Sequence, residues 1–463
     1  MSDMRMLGKV RHIHFVGIGG IGMSGIAEVL LNLGFTVSGS DVEESDITRR
    51  LSGLGATVYR GHAAGQIAGA DAVVVSSAVG ADNPEVAAAA AAGLPLIPRS
   101  DMLGELMRMR TAIAVAGAHG KTTTTSLAAV VLQEAGFDPT IIVGGMVKSL
   151  DVTARLGAGR YLVAEVDESD GNFVRLSPTI ALITNIDAEH LDFYGDLGAI
   201  HEAFVTFANR VPFHGVVIAC IDDANVRAVL PEIDRRTVTY GFGPEADVRG
   251  EIVCESAEGS AFRLRVDGSE AGELFLRIPG RHNVLNALGV CALAAELEIP
   301  FEALSRAFAR FEGVGRRFER RGEERGVLVI DDYGHHPSEI AAAVATARRA
   351  ADRRLVVVFQ PHRFTRTRDL HERFDRCFRE ADEVLITDIY SAGETPIPGI
   401  TGELIYRAAR RGGARRVTYL PDRSALLEAL CDIAREGDLV LTLGAGDIWK
   451  IGDELLERRR TGG

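Results

Sequence analysis

"GAHGKTTTT", residues 117–125, decides how this sequence is read. The apolar run "TAIAVAG" leads into it and "TSLAAVVLQEAG" leads out, which predicts a strand, a glycine loop and a helix in succession. Gly117 and Gly120 let backbone amides approach phosphate oxygens, and the helix that follows turns its positive end toward them. Lys121 adds a point charge, and Thr122 a hydroxyl suited to a magnesium ion. The longer GxxxxGK[ST] pattern needs glycine where Val115 stands, so this is a shortened GxxGKT variant. A plain glycine turn is the competing reading.

A second glycine loop lies near the start. "HFVGIGGIGMSGIAEVL" carries GxGxxG at Gly17, Gly19 and Gly22, with Gly20 inside it, and Asp41 follows in "VSGSD". After a strand and opening a helix, this is the dinucleotide fingerprint, with pyrophosphate on the helix amides and an acid near the ribose. Pyrophosphate recognition does not distinguish a nicotinamide dinucleotide from a nucleotide sugar. "DAVVVSSAV" ends another strand in Ser76 and Ser77, whose hydroxyls suit phosphate or sugar oxygens. A nicotinamide-binding dehydrogenase or regulator explains Gly17–Gly22 and Asp41 but has no use for the lysine-bearing loop.

The 463 residues suit two to four domains. A net charge of −13 argues against nucleic acid as a partner. No run approaches the roughly 20 apolar residues of a membrane span, and "MSDMRMLGKVRHIHFVG" lacks the pattern of a signal peptide. The five cysteines form no CxxC, so neither a disulfide framework nor a zinc site is expected. A cytoplasmic enzyme, with neither membrane nor nucleic acid as partner, is the expectation.

Strands followed by loops and alanine-rich helices recur in three blocks, an α/β pattern with largely parallel sheets. The alanine run at 87–92 reads as helix, and the alternation from "ADVRGEIVC" to "LFLRIPG" as a small antiparallel patch. In the middle block, "YLVAEVDESDGNF" ends a strand at Glu165, a carboxylate suited to magnesium. "TIALITNIDAEHLDFYG" brings Asn185, Asp187 and His190 to another strand end. Histidine is an unusual magnesium ligand, and a structural histidine is an equal reading of His190 alone. "IPGRHNVLNA" offers His282, Asn283 and Asn286 at a helix start; the asparagines suit adenine, and helix capping serves as well.

Taken together, "GIGGIGMSGIAEVL", "GAHGKTTTT", "EVDESD", "NIDAEHLDFY", "GRHNVLNA", "GVGRRFE", "DDYGHHPSE", "FQPHRFTRTRDL" and "GAGD" resemble the Mur ligase family, in its order and over essentially the whole chain. The resemblance implies three domains: a Rossmann-like UDP-sugar domain at 1–107, a P-loop ATPase-type central domain at 108–319, and a Rossmann-like amino-acid domain at 320–463. "DDYGHHP" and "PHRFTRTRDL" resemble the alanine-adding branch, which implies UDP-N-acetylmuramate, L-alanine and ATP as substrates, Mg2+ as cofactor, and a monomer or homodimer. A murein-peptide ligase acting on the same sugar nucleotide is the nearest alternative.

What the resemblance implies for single residues is as follows. Gly17, Gly19, Gly20, Gly22, Asp41, Ser76 and Ser77 would hold the sugar nucleotide. Gly117, Ala118, His119, Gly120, Lys121, Thr122, Thr123, His282, Asn283, Asn286, Asp332 and His335 would hold ATP. Thr122, Glu165 and His190 would hold magnesium, with Lys121, Glu165 and His190 as the catalytic set. Tyr333, His362, Arg363 and Arg366 would hold alanine, a guanidinium fork being suited to its carboxylate. Two departures from the family pattern are Ala118, where threonine is usual, and "DESDGNF" in place of "DESDASF".

Overall fold

Three sets of apolar strands form three sheets in the computed structural model, which describes residues 7–76 and 78–461. Ser77 therefore lies outside the described residues. The first sheet has five strands in the spatial order Thr57–Arg60, Thr36–Asp41, His12–Val16, Ala72–Val75, Leu96–Pro98, all parallel. The earliest strand lies in the middle, so the chain winds outward in both directions and leaves a crevice at the carboxyl ends of His12–Val16 and Ala72–Val75. That crevice is where the first glycine loop emerges.

The second sheet has ten strands, with Thr111–Ala116 between Ile180–Ile183 and Tyr161–Glu165. Both neighbours run parallel to it, so three carboxyl ends open beside the lysine-bearing loop. Thr111–Ala116 is buried along nearly its whole length, as expected of a strand covered on both faces. One edge continues through Val248–Ser256, Gly259–Val266 and Ser269–Leu276. Links of two residues join these three, and such links permit only antiparallel neighbours, in keeping with the alternating pattern. The third sheet has six strands, parallel except for the edge pair Glu319–Glu324 and Val327–Asp332, and apolar clusters cover both its faces.

The chain forms two compact units. One comprises Met1–Glu251, Leu264–Gly272 and Leu285–Phe311; the other comprises Ile252–Arg263, Glu273–Val284 and Glu312–Gly463. The first unit contains the whole first sheet and most of the second, joined by one continuous apolar cluster. Helix Ile21–Asn32 packs on the hairpin of the second sheet, and a Cβ at Gly25 would already touch Ala154 and Ile142 at 3.4 Å. Helix Lys121–Glu134 runs through the core with Thr122–Thr125 and Ser126 buried. Thr125 and Ser126 satisfy their hydroxyls by donating to the carbonyls of Lys121 and Thr122, while the buried Thr124 hydroxyl has no partner among the described residues. No helix among the described residues is long and apolar enough to cross a membrane.

The alanine run falls in helix Pro84–Ala91, capped by Asn83. Its first turn drives Glu85 into the first sheet, fully buried. There Glu85 accepts from Ser40 at 2.5 Å and lies 2.9 Å from His62 Nδ1 and 3.3 Å from His14 Nε2. The Glu85→Ala change leaves these groups without their carboxylate, so the first unit is expected to lose about 2–5 kcal/mol of stability. Chemical denaturation measures this; an unchanged first transition would show that the network contributes nothing.

Candidate active site

The lysine-bearing loop is shaped by two glycines that no other residue replaces. Gly117 has φ 135° and Gly120 φ 78°, both in the region that disfavours a Cβ. A Cβ at Gly117 would collide with Thr184 Oγ1, and one at Gly120 with Asn286 Oδ1. The strand end Ile180–Ile183 runs on into Thr184 and Asn185, which grip the loop from outside. Asn185 accepts from the His119 amide at 2.8 Å and donates to its carbonyl at 2.9 Å; Thr184 donates to that carbonyl at 2.7 Å. The His119 ring lies 3.1 Å from Asp187. Ala118 and Thr123 stand in the same loop and helix start, Thr123 buried.

Lys121 Nζ donates to the carbonyls of Gly117 at 2.5 Å and Ala118 at 3.2 Å and to Glu168 Oε1 at 2.8 Å. Burial alone would push its proton off, but the carboxylates of Glu168, Glu165 and Asp167 together outweigh this and hold it firmly charged. For Glu168 the balance falls the other way. Burial, helped by Asp167, pushes its pKa up to about 7 against the pull of Lys121. Glu168 Oε2 is buried with no hydrogen-bond partner among the described residues.

Thr122 Oγ1 donates to Glu165 Oε1 at 3.1 Å, and the Gly144 amide donates to Glu165 Oε2 at 2.8 Å. Hydroxyl and carboxylate thus converge, an oxygen set that fits hard magnesium. His190 sits in the left-handed region at φ 55°, with Nε2 at 4.0 Å from Glu168 and 3.6 Å from Glu189. A non-glycine residue held there marks a constrained position. Asn286 is buried against the loop at Gly120.

The first glycine loop lines a cleft of about 670 Å³ with Gly17, Gly19, Gly20, Asp41, His62 and Ser76 among its walls. Asp41 accepts from the Gly19 amide at 2.8 Å, so its carboxylate braces the loop. Gly22 stands in the first turn of helix Ile21–Asn32, where a Cβ would lie 2.6 Å from Arg99 Nη1.

The remaining candidates belong to the second unit. Asp332 closes strand Val327–Asp332 and accepts from the amides of Gly334 and Phe318, each at 2.7 Å. Burial raises its pKa to about 6 despite Arg317. Tyr333, His335 and His362 stand in succession, with ring centroids 5.5 Å apart at each step. His362 is pushed down to about 3 by burial and by His335, Arg366 and Arg363, so it is neutral, and Arg366 Nη1 lies 3.3 Å from its Nδ1. His282 is likewise lowered to about 4 by burial and by Arg349 and Arg317. Asn283 donates to Pro279 O at 2.7 Å. Arg366 lies on helix Phe364–Leu370 and Arg363 directly before it. Arg363 has φ 70°, and its Nε donates to Glu394 at 2.7 Å.

Several residues that brace these sites escaped the sequence reading: Glu168, Thr184, Gly144, His62 and Arg99 in the first unit and Glu394 in the second. Glu168 stood inside the quoted "EVDESD", and Thr184 directly before Asn185, so proximity to motif residues was an available signal. For Glu394, 31 residues from Arg363, the sequence held none.

Models of the Mur ligase family match almost the whole chain: the catalytic domain at 12–111, the middle domain at 115–294 and the glutamate ligase domain at 316–446. The chain is 53% identical to a UDP-N-acetylmuramate–L-alanine ligase of Geotalea uraniireducens, covering 98% of this chain and 99% of that one. It is 54% identical to the protein of the same description from Solibacter usitatus, covering 99% and 97%. Among solved structures, the UDP-N-acetylmuramate–alanine ligase of Thermotoga maritima superposes with a TM-score of 0.82 at 31% identity, covering 98% of this chain and 100% of that one. A murein peptide ligase of Psychrobacter arcticus superposes with a TM-score of 0.70 at 26% identity, covering 97% and 98%. With two phosphate-type loops in one unit and matches running from end to end, the chain belongs to the Mur ligase family.

Proposed function

We propose that this enzyme joins L-alanine to the lactyl carboxylate of UDP-N-acetylmuramate at the expense of ATP, in peptidoglycan precursor synthesis. One observation carries the reading: a single unit holds a dinucleotide-type loop and a separate loop with a largely buried, charged Lys121. A nucleotide sugar and a phosphoryl donor account for both. We assign the sugar nucleotide to the cleft at Gly17–Gly22 with Asp41 and Ser76, and ATP to the loop 117–123 with Asn286. His282, Asn283, Asp332 and His335 are proposed to complete the ATP contacts, and Tyr333, His362, Arg363 and Arg366 to receive alanine. The reading places the enzyme in the cytoplasm, where its substrates are.

A carboxylate oxygen attacks the γ-phosphorus of ATP, forming an acyl phosphate and releasing ADP. The amine of alanine then attacks the carbonyl carbon, and the tetrahedral intermediate collapses to the amide as phosphate leaves with the C–O bond electrons. Phosphoryl transfer is chiefly positioning and charge neutralisation. Lys121 supplies a fixed positive charge beside the transferring group, and its tie to the Gly117 and Ala118 carbonyls sets where that charge stands. Thr122, Glu165 and His190 would hold magnesium, which when bound offsets phosphate charge. Arg366, through its contact with a neutral His362, and Arg363, fixed by Glu394, suit a carboxylate.

Phosphate release in the presence of ATP and UDP-N-acetylmuramate, with alanine, glycine, serine or a tripeptide, tests the reading. Alanine is expected to be the preferred amine; preference for the tripeptide would favour a murein-peptide ligase. In the same assay Arg363→Ala is expected to raise the alanine requirement about ten- to hundredfold, with the ATP requirement unchanged. Lys121→Ala tests the phosphate loop. A charge about 4 Å from the phosphate contributes about 4 kcal/mol at an effective dielectric near 20, or about a thousandfold in rate. Calorimetry is expected to find UDP-N-acetylmuramate still bound by this variant; its loss would contradict the separation of the two loops.

A further inference from the structure

Arg99 opens helix Arg99–Arg108, directly after the last strand of the first sheet. Its side chain reaches away from that sheet's own strands in two directions. Nη1 lies so close to Gly22, in the first turn of helix Ile21–Asn32, that a Cβ there would come within 2.6 Å. Nη2 donates to Asp167 Oδ2 at 2.8 Å. Asp167 stands directly before Glu168, the partner of Lys121, and the charges of both Arg99 and Lys121 outweigh its partial loss of solvent and lower its pKa. Two ion pairs, Arg99 with Asp167 and Lys121 with Glu168, therefore stand between the sugar-nucleotide loop and the phosphate loop, coupled through the charges of Asp167 and Lys121.

We infer that Arg99 is a further substrate-binding residue, holding an oxyanion of the acceptor between the two loops, and that Asp167 is its positioning residue. The inference rests on the proposed function and deepens it. Glycine at position 22 makes physical sense on this reading. The third glycine of the fingerprint is ordinarily needed for close packing of helix on strand; here its missing side chain admits a guanidinium. That cation lies beside the positive end of a helix, an arrangement that favours a bound anion. Asp167 is the carboxylate in place, and its side chain is 42% exposed while that of Arg99 is 17% exposed. An arriving oxyanion meets a fork already oriented on one side by Asp167, with its planar donors suited to two-point contact. Because Arg99 faces from the sugar loop toward the neighbours of Lys121, the lactyl carboxylate is the oxyanion the placement favours; the diphosphate offers the same chemistry.

Calorimetric binding of UDP, UDP-N-acetylglucosamine and UDP-N-acetylmuramate to the full chain separates these cases, since only the last carries the lactyl carboxylate. Arg99→Gln is expected to weaken UDP-N-acetylmuramate about ten- to hundredfold and to leave the other two unchanged. An equal loss for all three assigns Arg99 to the diphosphate. Arg99→Lys, which keeps the charge without the fork, and Asp167→Asn are expected to fall between wild type and Arg99→Gln. Wild-type affinity for UDP-N-acetylmuramate in Arg99→Gln overturns the inference, as does a loss accompanied by an equal loss of ADP binding and of thermal stability. Failure of the wild type itself to bind UDP-N-acetylmuramate contradicts the proposed function instead.

Discussion

A protonated lysine, largely buried beside three acidic side chains, governs the arrangement of the first unit. Lys121 must stay charged in a place where burial favours its neutral form, and Glu168, Glu165 and Asp167 make that possible. Each of those acids then needs its own partner. Glu165 takes Thr122 and the Gly144 amide, Asp167 takes Arg99, and Glu168 takes Lys121 itself. Because Glu165 ends strand Tyr161–Glu165, Asp167 and Glu168 follow it, and the lysine follows strand Thr111–Ala116, parallel pairing of the two strands brings the charges together. The sheet's register is thus a condition of the site's electrostatics.

Close approach is the second constraint. Thr184 and Asn185 can hold the loop only because Gly117 has no side chain, and Asn286 reaches it only because Gly120 has none. Asp41 braces the other loop through the Gly19 amide. In both loops glycine provides space for a neighbouring polar group as much as freedom of φ. The carboxyl ends of parallel strands supply Thr184, Asn185 and Asp41, and helix Arg281–Glu296 supplies Asn286.

Legibility in the sequence followed the range of the interactions. The strand–loop–helix pattern around Lys121 and the GxGxxG at Gly17–Gly22 are local, and so is the alternation that reads as α/β in three blocks; the three-domain organisation came from the resemblance of the motifs, taken in order, to the Mur ligase family. The contacts that organise the site are not local: Lys121 and Glu168 are 47 residues apart, His119 and Asn185 are 66 apart, and Arg99 and Asp167 are 68 apart. No spacing rule reaches across such distances, so Glu168 went unread although its motif was in view, and Arg99 lay outside every motif. Arg363 is set by the same kind of distant contact: Glu394, 31 residues on, and a positive φ hold it directly before helix Phe364–Leu370.

The central claim is that a carboxylate receives the phosphoryl group at the loop of Lys121. UDP-N-acetylmuramate labelled with oxygen-18 in the lactyl carboxylate tests it directly, with the released phosphate examined by mass spectrometry after turnover with ATP and alanine. Transfer of one labelled oxygen from each carboxylate to each phosphate is the predicted result, because the acyl phosphate breaks at its carbon–oxygen bond. Phosphate free of label, with amide formed at the usual rate, would contradict the account.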